Sequence, residues 1–129
     1  MEKSYRLQDN QRFQLVKRTG RSWSDPLLVL CVLPNGLECN RFGFSVSKRV
    51  GKAVVRNRVK RLLREATRVR QPTIRPGRDI VFIARSPIKE ASFQQVDRAV
   101  EKLLREAGLL LPESASSQRQ AGYPALYCR

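Results

Sequence analysis

From residue 54 onward, apolar side chains fall at 55, 59, 62, 63, 66 and 69, the i, i+3, i+4, i+7 rhythm of an amphipathic helix. At about 100° per residue these six share one side. Arg56, Asn57, Lys60, Arg61, Arg64 and Arg68 spread over the other, interrupted by Glu65. The helix is expected from about 54 to 70 and ends at Gln71-Pro72, because proline disfavours helical geometry in the residue before it. Its start lacks a strong cap, since Gly51 and Lys52 stand where Ser, Asp or Asn would serve. Just upstream, residues 41–48 alternate. Phe42, Phe44 and Val46 point one way, towards the helices, and Gly43, Ser45 and Ser47 the other. Such a Gly/Ser face is either an ordinary solvent-facing surface or the floor of a groove, because glycine inside a strand marks a close approach by a ligand or another backbone.

Residues 9–19 read as a first helix that Asp9 or Asn10 can cap, with Phe13 and Val16 as its apolar edge and Gly20 as its stop. Arg12, Lys17, Arg18 and Arg21 make its outer side basic. Residues 27–33 are a continuous apolar run of strand length, closed by the turn signal Pro34-Asn35-Gly36. Residues 79–85 read as a strand buried on both faces, hence central and parallel to a neighbour. Strand, helix and strand then form a crossover unit. Ser92 and Gln95 make a capping box for a third helix, whose Phe93, Val96, Ala99, Val100, Leu103, Leu104 and Ala107 form one stripe stopped by Gly108. Its charges are balanced, which marks it as scaffold. Residues 1–111 therefore form one α/β domain. From 112 to 129 the composition shifts to Ser, Gln, Ala, Gly and Pro without periodicity, as in a disordered tail.

Charge narrows the function. The 129 residues carry 26 Lys+Arg against 11 Asp+Glu, a formal charge of +15. One compact domain with a modest core and this surplus points to nucleic acid or an anionic membrane surface. No apolar run approaches the roughly 18 residues of a membrane span. The start, Met1-Glu2-Lys3-Ser4-Tyr5-Arg6, lacks the apolar core of a signal peptide, so a soluble, cytoplasmic protein is expected. Like charges four apart on a helix repel, and the ladder Arg56-Lys60-Arg64-Arg68 therefore favours a polyanionic partner. The cysteines at 31, 39 and 128 are odd in number and lack zinc spacing, which predicts neither a disulfide framework nor a metal knuckle. The absence of histidine removes Ser-His-Asp and Cys-His nucleophiles. Phe13 and Trp23 are either core residues or platforms on which bases stack, and Cys31 reads as a small packed hydrophobe.

Residues 43–61 run Gly-Phe-Ser-Val-Ser-Lys-Arg-Val-Gly-Lys-Ala-Val-Val-Arg-Asn-Arg-Val-Lys-Arg. They closely resemble the bacterial ribonuclease P protein component, a family with a GxSVSKKxGNAVxRNRxKR segment and an Arg-Asn-Arg hallmark. Arg12-Phe13-x-x-Val16, Gly20-Arg21-Ser22 and residues 79–85 agree, so the resemblance covers roughly residues 4–110. It implies an α+β fold in α-β-β-β-α-β-α order, with a mixed sheet packed by helices. The crossover around the Arg-Asn-Arg helix would be left-handed, against the usual rule, as in the second domain of a small-subunit ribosomal protein. It also implies partnership with a catalytic RNA that removes the 5′ leader of precursor tRNA. The Mg²⁺ chemistry would be held mainly by RNA and substrate, with no catalytic residue, membrane or protein partner assigned to this chain.

Carried over by position, the resemblance implies that Arg56, Asn57, Arg58, Lys60, Arg61 and Arg64 face the catalytic RNA and the cleavage-site region, extended by Lys48, Arg49 and Lys52. Phe13, Lys17, Cys31, Gly43, Ser45 and Ser47 would form the leader cleft, which raises the stacking reading of Phe13. The chain departs from the family pattern at Lys52, where Asn is frequent, and at Lys17 and Cys31, where aromatics are common; leader contacts would then rest more on charge. A basic ribosomal or ribosome-assembly RNA-binding protein is the alternative that charge and fold permit. A protein-only nuclease would need clustered carboxylates for metal, and the acidic residues are scattered. A DNA-binding reading meets the difficulty that the one basic helix lies inside a crossover and not in a helix-turn-helix.

Overall fold

The computed structural model describes residues 6–111. The tail expected at 112–129, with Cys128, lies outside the described residues. In chain order the elements are α1 (Asn10–Thr19), β1 (Arg21–Ser24), β2 (Leu28–Pro34), β3 (Arg41–Ser45), α2 (Ala53–Arg68), β4 (Arg78–Ala84) and α3 (Phe93–Glu106), with short 3₁₀ segments at Gln71–Thr73 and Ser86–Glu90. This is the α-β-β-β-α-β-α order. The strands lie in the order β1-β2-β4-β3. β2 is antiparallel to both β1 and β4, whereas β3 and β4, joined through α2, are parallel. The sheet is mixed, and β4 is its central, buried strand. The apolar pattern alone does not mark β1. Of Arg21-Ser22-Trp23-Ser24 only Trp23 turns inward, and pairing with β2 makes it a strand.

Register sorts the side chains between two layers. Leu28, Leu30, Phe42, Ile80 and Phe82 face α2 and α3 and pack there with Val59, Leu63, Val96, Val100 and Leu103. Phe44 stacks on Phe82 with ring centroids 6.1 Å apart. Each fully buried side chain of this size contributes about 1.5–3 kcal/mol, so this layer carries most of the stability. On the opposite face Cys31 and Val81 pack beneath α1 with Val16 and Leu7. The Leu7 N–H donates to the Phe42 carbonyl at 2.7 Å, so the segment before α1 covers part of the outer edge of β3.

Local sequence accounts for the helix ends. The Asp9 carboxylate accepts from the N–H groups of Gln11 and Arg12, at 2.9 and 3.4 Å. α2 starts at Lys52 without a side-chain cap. Ser92 and Gln95 form the full capping box of α3, and Gly108, at φ 72°, stops it. Two stripe residues differ from expectation. Val69 is 52% exposed and Phe93 36% exposed, because one follows the last turn of α2 and the other opens α3 before its stripe reaches the sheet. Cys31 is a free buried thiol, and Cys39 is buried as well.

Candidate nucleic-acid interface

The polar residues of α2 point in three directions, because successive residues turn by about 100°. Lys60 and Arg64 lean over the outer edge of β3. There they line an open pocket of about 170 Å³ together with Arg6, Gln8, Phe13 and Phe44. The Arg64 Nε is buried there without a hydrogen-bond partner. Arg56 sits one turn earlier on this side, and its Nε donates to the Gly51 carbonyl at 3.1 Å. Asn57 and Arg61 face outward and are exposed. Arg58 turns the other way, donating to the carbonyls of Lys89 at 3.4 Å and Ala91 at 3.2 Å. The Arg-Asn-Arg triplet is thus divided, and Arg58 braces α2 against the segment leading into α3. Arg68 is paired with Glu65 at 2.6 Å, which relieves one rung of the repulsive ladder. Lys48, Arg49 and Lys52 lie in the turn between β3 and α2 and are exposed. They continue the basic surface from the strand end.

The residues expected at the leader cleft assemble unevenly. The Phe13 ring lies directly on Gly43, and a Cβ at residue 43 would stand 2.5 Å from Phe13 Cε2. The close approach marked by that glycine is therefore made by the protein's own aromatic ring. Lys17 Nζ stands 6.0 Å from the Phe13 ring centroid, within reach of a weak cation–π contact. Ser45 is half-buried and Ser47 exposed beyond the strand end. Cys31 is not at the surface. It is 3% exposed, beneath α1; burial pushes its thiol pKa up, opposed in part by the Lys17 charge. The open part of this face is floored instead by Val29 and Ile83, which pair across β2 and β4 and are half-buried. The sequence reading names neither for the cleft, because 27–33 reads only as a continuous apolar run and 79–85 as a strand buried on both faces. Their two-residue spacing from Cys31 and Val81 is the signal that places them on the α1 side.

Many of the acidic residues are engaged in the scaffold. The fully buried Asp79 carboxylate meets Arg12 at 2.6 Å and Arg41 at 2.8 Å, and accepts from Asn35 Nδ2 at 3.0 Å. Burial pushes its pKa up, but the hydrogen bonds from Arg41, Asn35 and Arg12 outweigh that, and the net shift is downward. Asp97 pairs with Arg70, Glu101 with Arg105 at 2.6 Å, and Asp25 with Lys102 at 3.2 Å. Asn57, Lys60, Arg61, Arg64, Lys48, Arg49 and Lys52 have no acidic partner among the described residues. The longest run of cations without an acidic partner among the described residues therefore lies along α2 and the turn before it, beside an aromatic-lined cleft. Among the described residues, no three His, Cys, Asp or Glu side chains are grouped to hold a metal ion, and no helix is long and apolar enough to cross a membrane.

A basic helix flanking a cleft with one stacked aromatic suits a flexible anionic chain such as single-stranded RNA. Comparison with known proteins agrees. The family model described as Ribonuclease P matches residues 1–108. The ribonuclease P protein component of Roseiflexus castenholzii is 47% identical over 111 residues, covering 85% of this chain and 91% of the relative. That of Caldanaerobacter subterraneus is 45% identical over 108 residues, covering 84% and 93%. The solved structure of the Staphylococcus aureus RNase P protein superposes with a TM-score of 0.77 at 34% identity, covering 82% of this chain and 97% of that one. With the fold, the basic helix and these relatives in agreement, the chain belongs to the ribonuclease P protein component family.

Proposed function

We propose that this chain is the protein subunit of a ribonuclease P ribonucleoprotein, an endoribonuclease that removes the 5′ leader of precursor tRNA in the cytoplasm. Its partners in this reading are the catalytic RNA and the precursor tRNA. The observation that carries it is the placement of Lys60 and Arg64 in one pocket with Phe13, which joins the basic helix to the cleft. Asn57, Lys60, Arg61 and Arg64, with Arg56, Lys48, Arg49 and Lys52, contact phosphates of the RNA near the cleavage site. Arginine suits this because its planar fork binds phosphate through two parallel hydrogen bonds. Phe13 and Lys17, with Ser45, Val29 and Ile83, hold the single-stranded leader, and Gly43 seats the Phe13 ring. The chain thereby tightens precursor over product. Mg²⁺, held mainly by RNA and substrate, supplies the chemistry of cleavage, and the chain's cations lower the repulsion among the phosphates gathered around it.

The binding energy is chiefly counterion release, so about six phosphate contacts correspond to a roughly thousandfold loss of affinity between 50 and 200 mM salt. The direct test mixes the protein with a bacterial ribonuclease P RNA and a precursor tRNA at low Mg²⁺. Cleavage at the mature 5′ end that requires both macromolecules is the expected result. Binding to that RNA without any stimulation would replace this reading with that of a general RNA-binding protein, and cleavage by the protein alone would replace it with a protein nuclease.

A further inference from the structure

We propose that Asp79, acting through Arg12 and Arg41, is a positioning residue that fixes Phe13 over Gly43 and so sets the shape of the leader cleft; the role rests on the leader reading above. Asp79 opens β4 and is fully buried. Its Oδ2 accepts from Arg12 Nε at 2.6 Å and Arg41 Nη2 at 2.8 Å, and its Oδ1 from Arg41 Nε at 2.8 Å and Asn35 Nδ2 at 3.0 Å. Arg12 Nη2 reaches on to the Pro34 carbonyl at 2.7 Å. The first turn of α1 is thereby tied to the end of β2 and the start of β4.

The clamp and the aromatic contact sit at successive same-face pairs of one ladder, with Phe42–Ile80 between them. Arg41 pairs with Asp79, and Gly43 pairs with Val81, so both pairs face α1. Arg12 immediately precedes Phe13 in α1. Burial of Val16 and Leu7 against Cys31 and Val81 is non-directional and does not by itself fix the rotation of a helix. Hydrogen bonds between a guanidinium and a carboxylate are directional. A one-residue slip of α1 would move Phe13 by about 1.5 Å along the axis and turn it by about 100°, off Gly43. The clamp forbids that slip. It also explains why Arg12, expected on the basic outer side of α1, turns inward to share the Asp79 carboxylate with Arg41.

The test uses the reconstituted holoenzyme, measuring affinity for precursor and for mature tRNA with wild type, Arg12→Gln, Phe13→Ala and the double variant. Each single change is expected to lower precursor-over-mature preference about tenfold, on the order of one stacked base. The double variant is expected to fall no further than Phe13→Ala alone. Arg12→Gln should leave affinity for the catalytic RNA and its salt dependence unchanged, and Arg12→Lys should restore part of the preference. If Arg12→Gln lowers the folded fraction, Arg41→Gln opens the same clamp from the strand side and should lose the same preference. Additive losses, or a salt slope reduced by about one contact, would mean that Arg12 touches RNA directly and would overturn the proposal. Loss of preference in Phe13→Ala with none in Arg12→Gln or Arg41→Gln would remove the positioning role alone. Unchanged preference in Phe13→Ala would remove the leader reading itself.

Discussion

Gly43→Ala adds a single methyl group where the Phe13 ring rests, and its effect can be worked out from the geometry. The new Cβ would lie 2.5 Å from Phe13 Cε2, 3.0 Å from Cδ2 and 3.3 Å from Cζ, well inside contact distance. Gly43 is not among the glycines with positive φ, so the backbone accepts alanine and the ring must yield. Overpacking of this kind costs about 1–3 kcal/mol. Replacing a strand glycine by alanine returns about 0.5–1 kcal/mol of backbone entropy, which leaves a net destabilisation of up to roughly 2.5 kcal/mol. In a Phe13→Ala background the clash is gone and only the backbone gain remains. The same substitution should then stabilise by about 0.5–1 kcal/mol. Urea unfolding of the four proteins measures both numbers and their coupling, expected at about 1–3 kcal/mol. An equal cost of Gly43→Ala with and without the Phe13 ring would show that the ring does not occupy that space.

Arg58→Ala should lower stability by about 1–2 kcal/mol through two lost hydrogen bonds with little change in salt dependence. Arg61→Ala should leave stability within about 0.5 kcal/mol and reduce the slope of log affinity against log salt by about 0.7–0.9; thermal melts and salt titrations of RNA binding separate the two. The Asp79 carboxyl has a folded pKa below its unfolded value, so its stabilisation is complete above about pH 4 and is lost as pH falls through the folded value. Urea midpoints should therefore drop on acidification, and less steeply in Asp79→Asn, which at pH 7 is already weaker by about 3–5 kcal/mol; parallel slopes would exclude Asp79 as a source. Ser92→Ala should cost about 1 kcal/mol by opening the capping box, checked by denaturant unfolding.

Periodicity made α2 and α3 legible, because their apolar spacing is long and regular; β4 is legible as a continuous apolar run, and the Ser92/Gln95 box from two residues. β1 was not, since four residues with one inward side chain carry no period and depend on pairing with β2. At the interface, spacing correctly separated the buried from the charged side of α2, yet it could not tell that Arg58 leans towards the Ala91 carbonyl while Lys60 leans towards Phe13. Both are off the buried stripe, and only the neighbours packed on either side distinguish them. Cys31 was placed in the cleft by its correspondence to an aromatic position, but a helix covers it. The Asp79 clamp joins residues 12, 41 and 79, and no local pattern links positions so far apart.

The strand order also constrains how the chain can assemble. β2 and β3 follow one another in sequence but are not neighbours in the sheet, because β4 lies between them. The β1–β2 hairpin can form from local contacts, whereas β3 has no strand partner until residues 78–84 arrive. During synthesis the ribosome must therefore release α2 before the sheet that supports it can close. For that interval a strongly cationic segment exists without its scaffold, and non-local pairing of this kind closes slowly. The final strand is thus the kinetic keystone: it completes the sheet and, in the same step, gives the basic helix a fixed orientation.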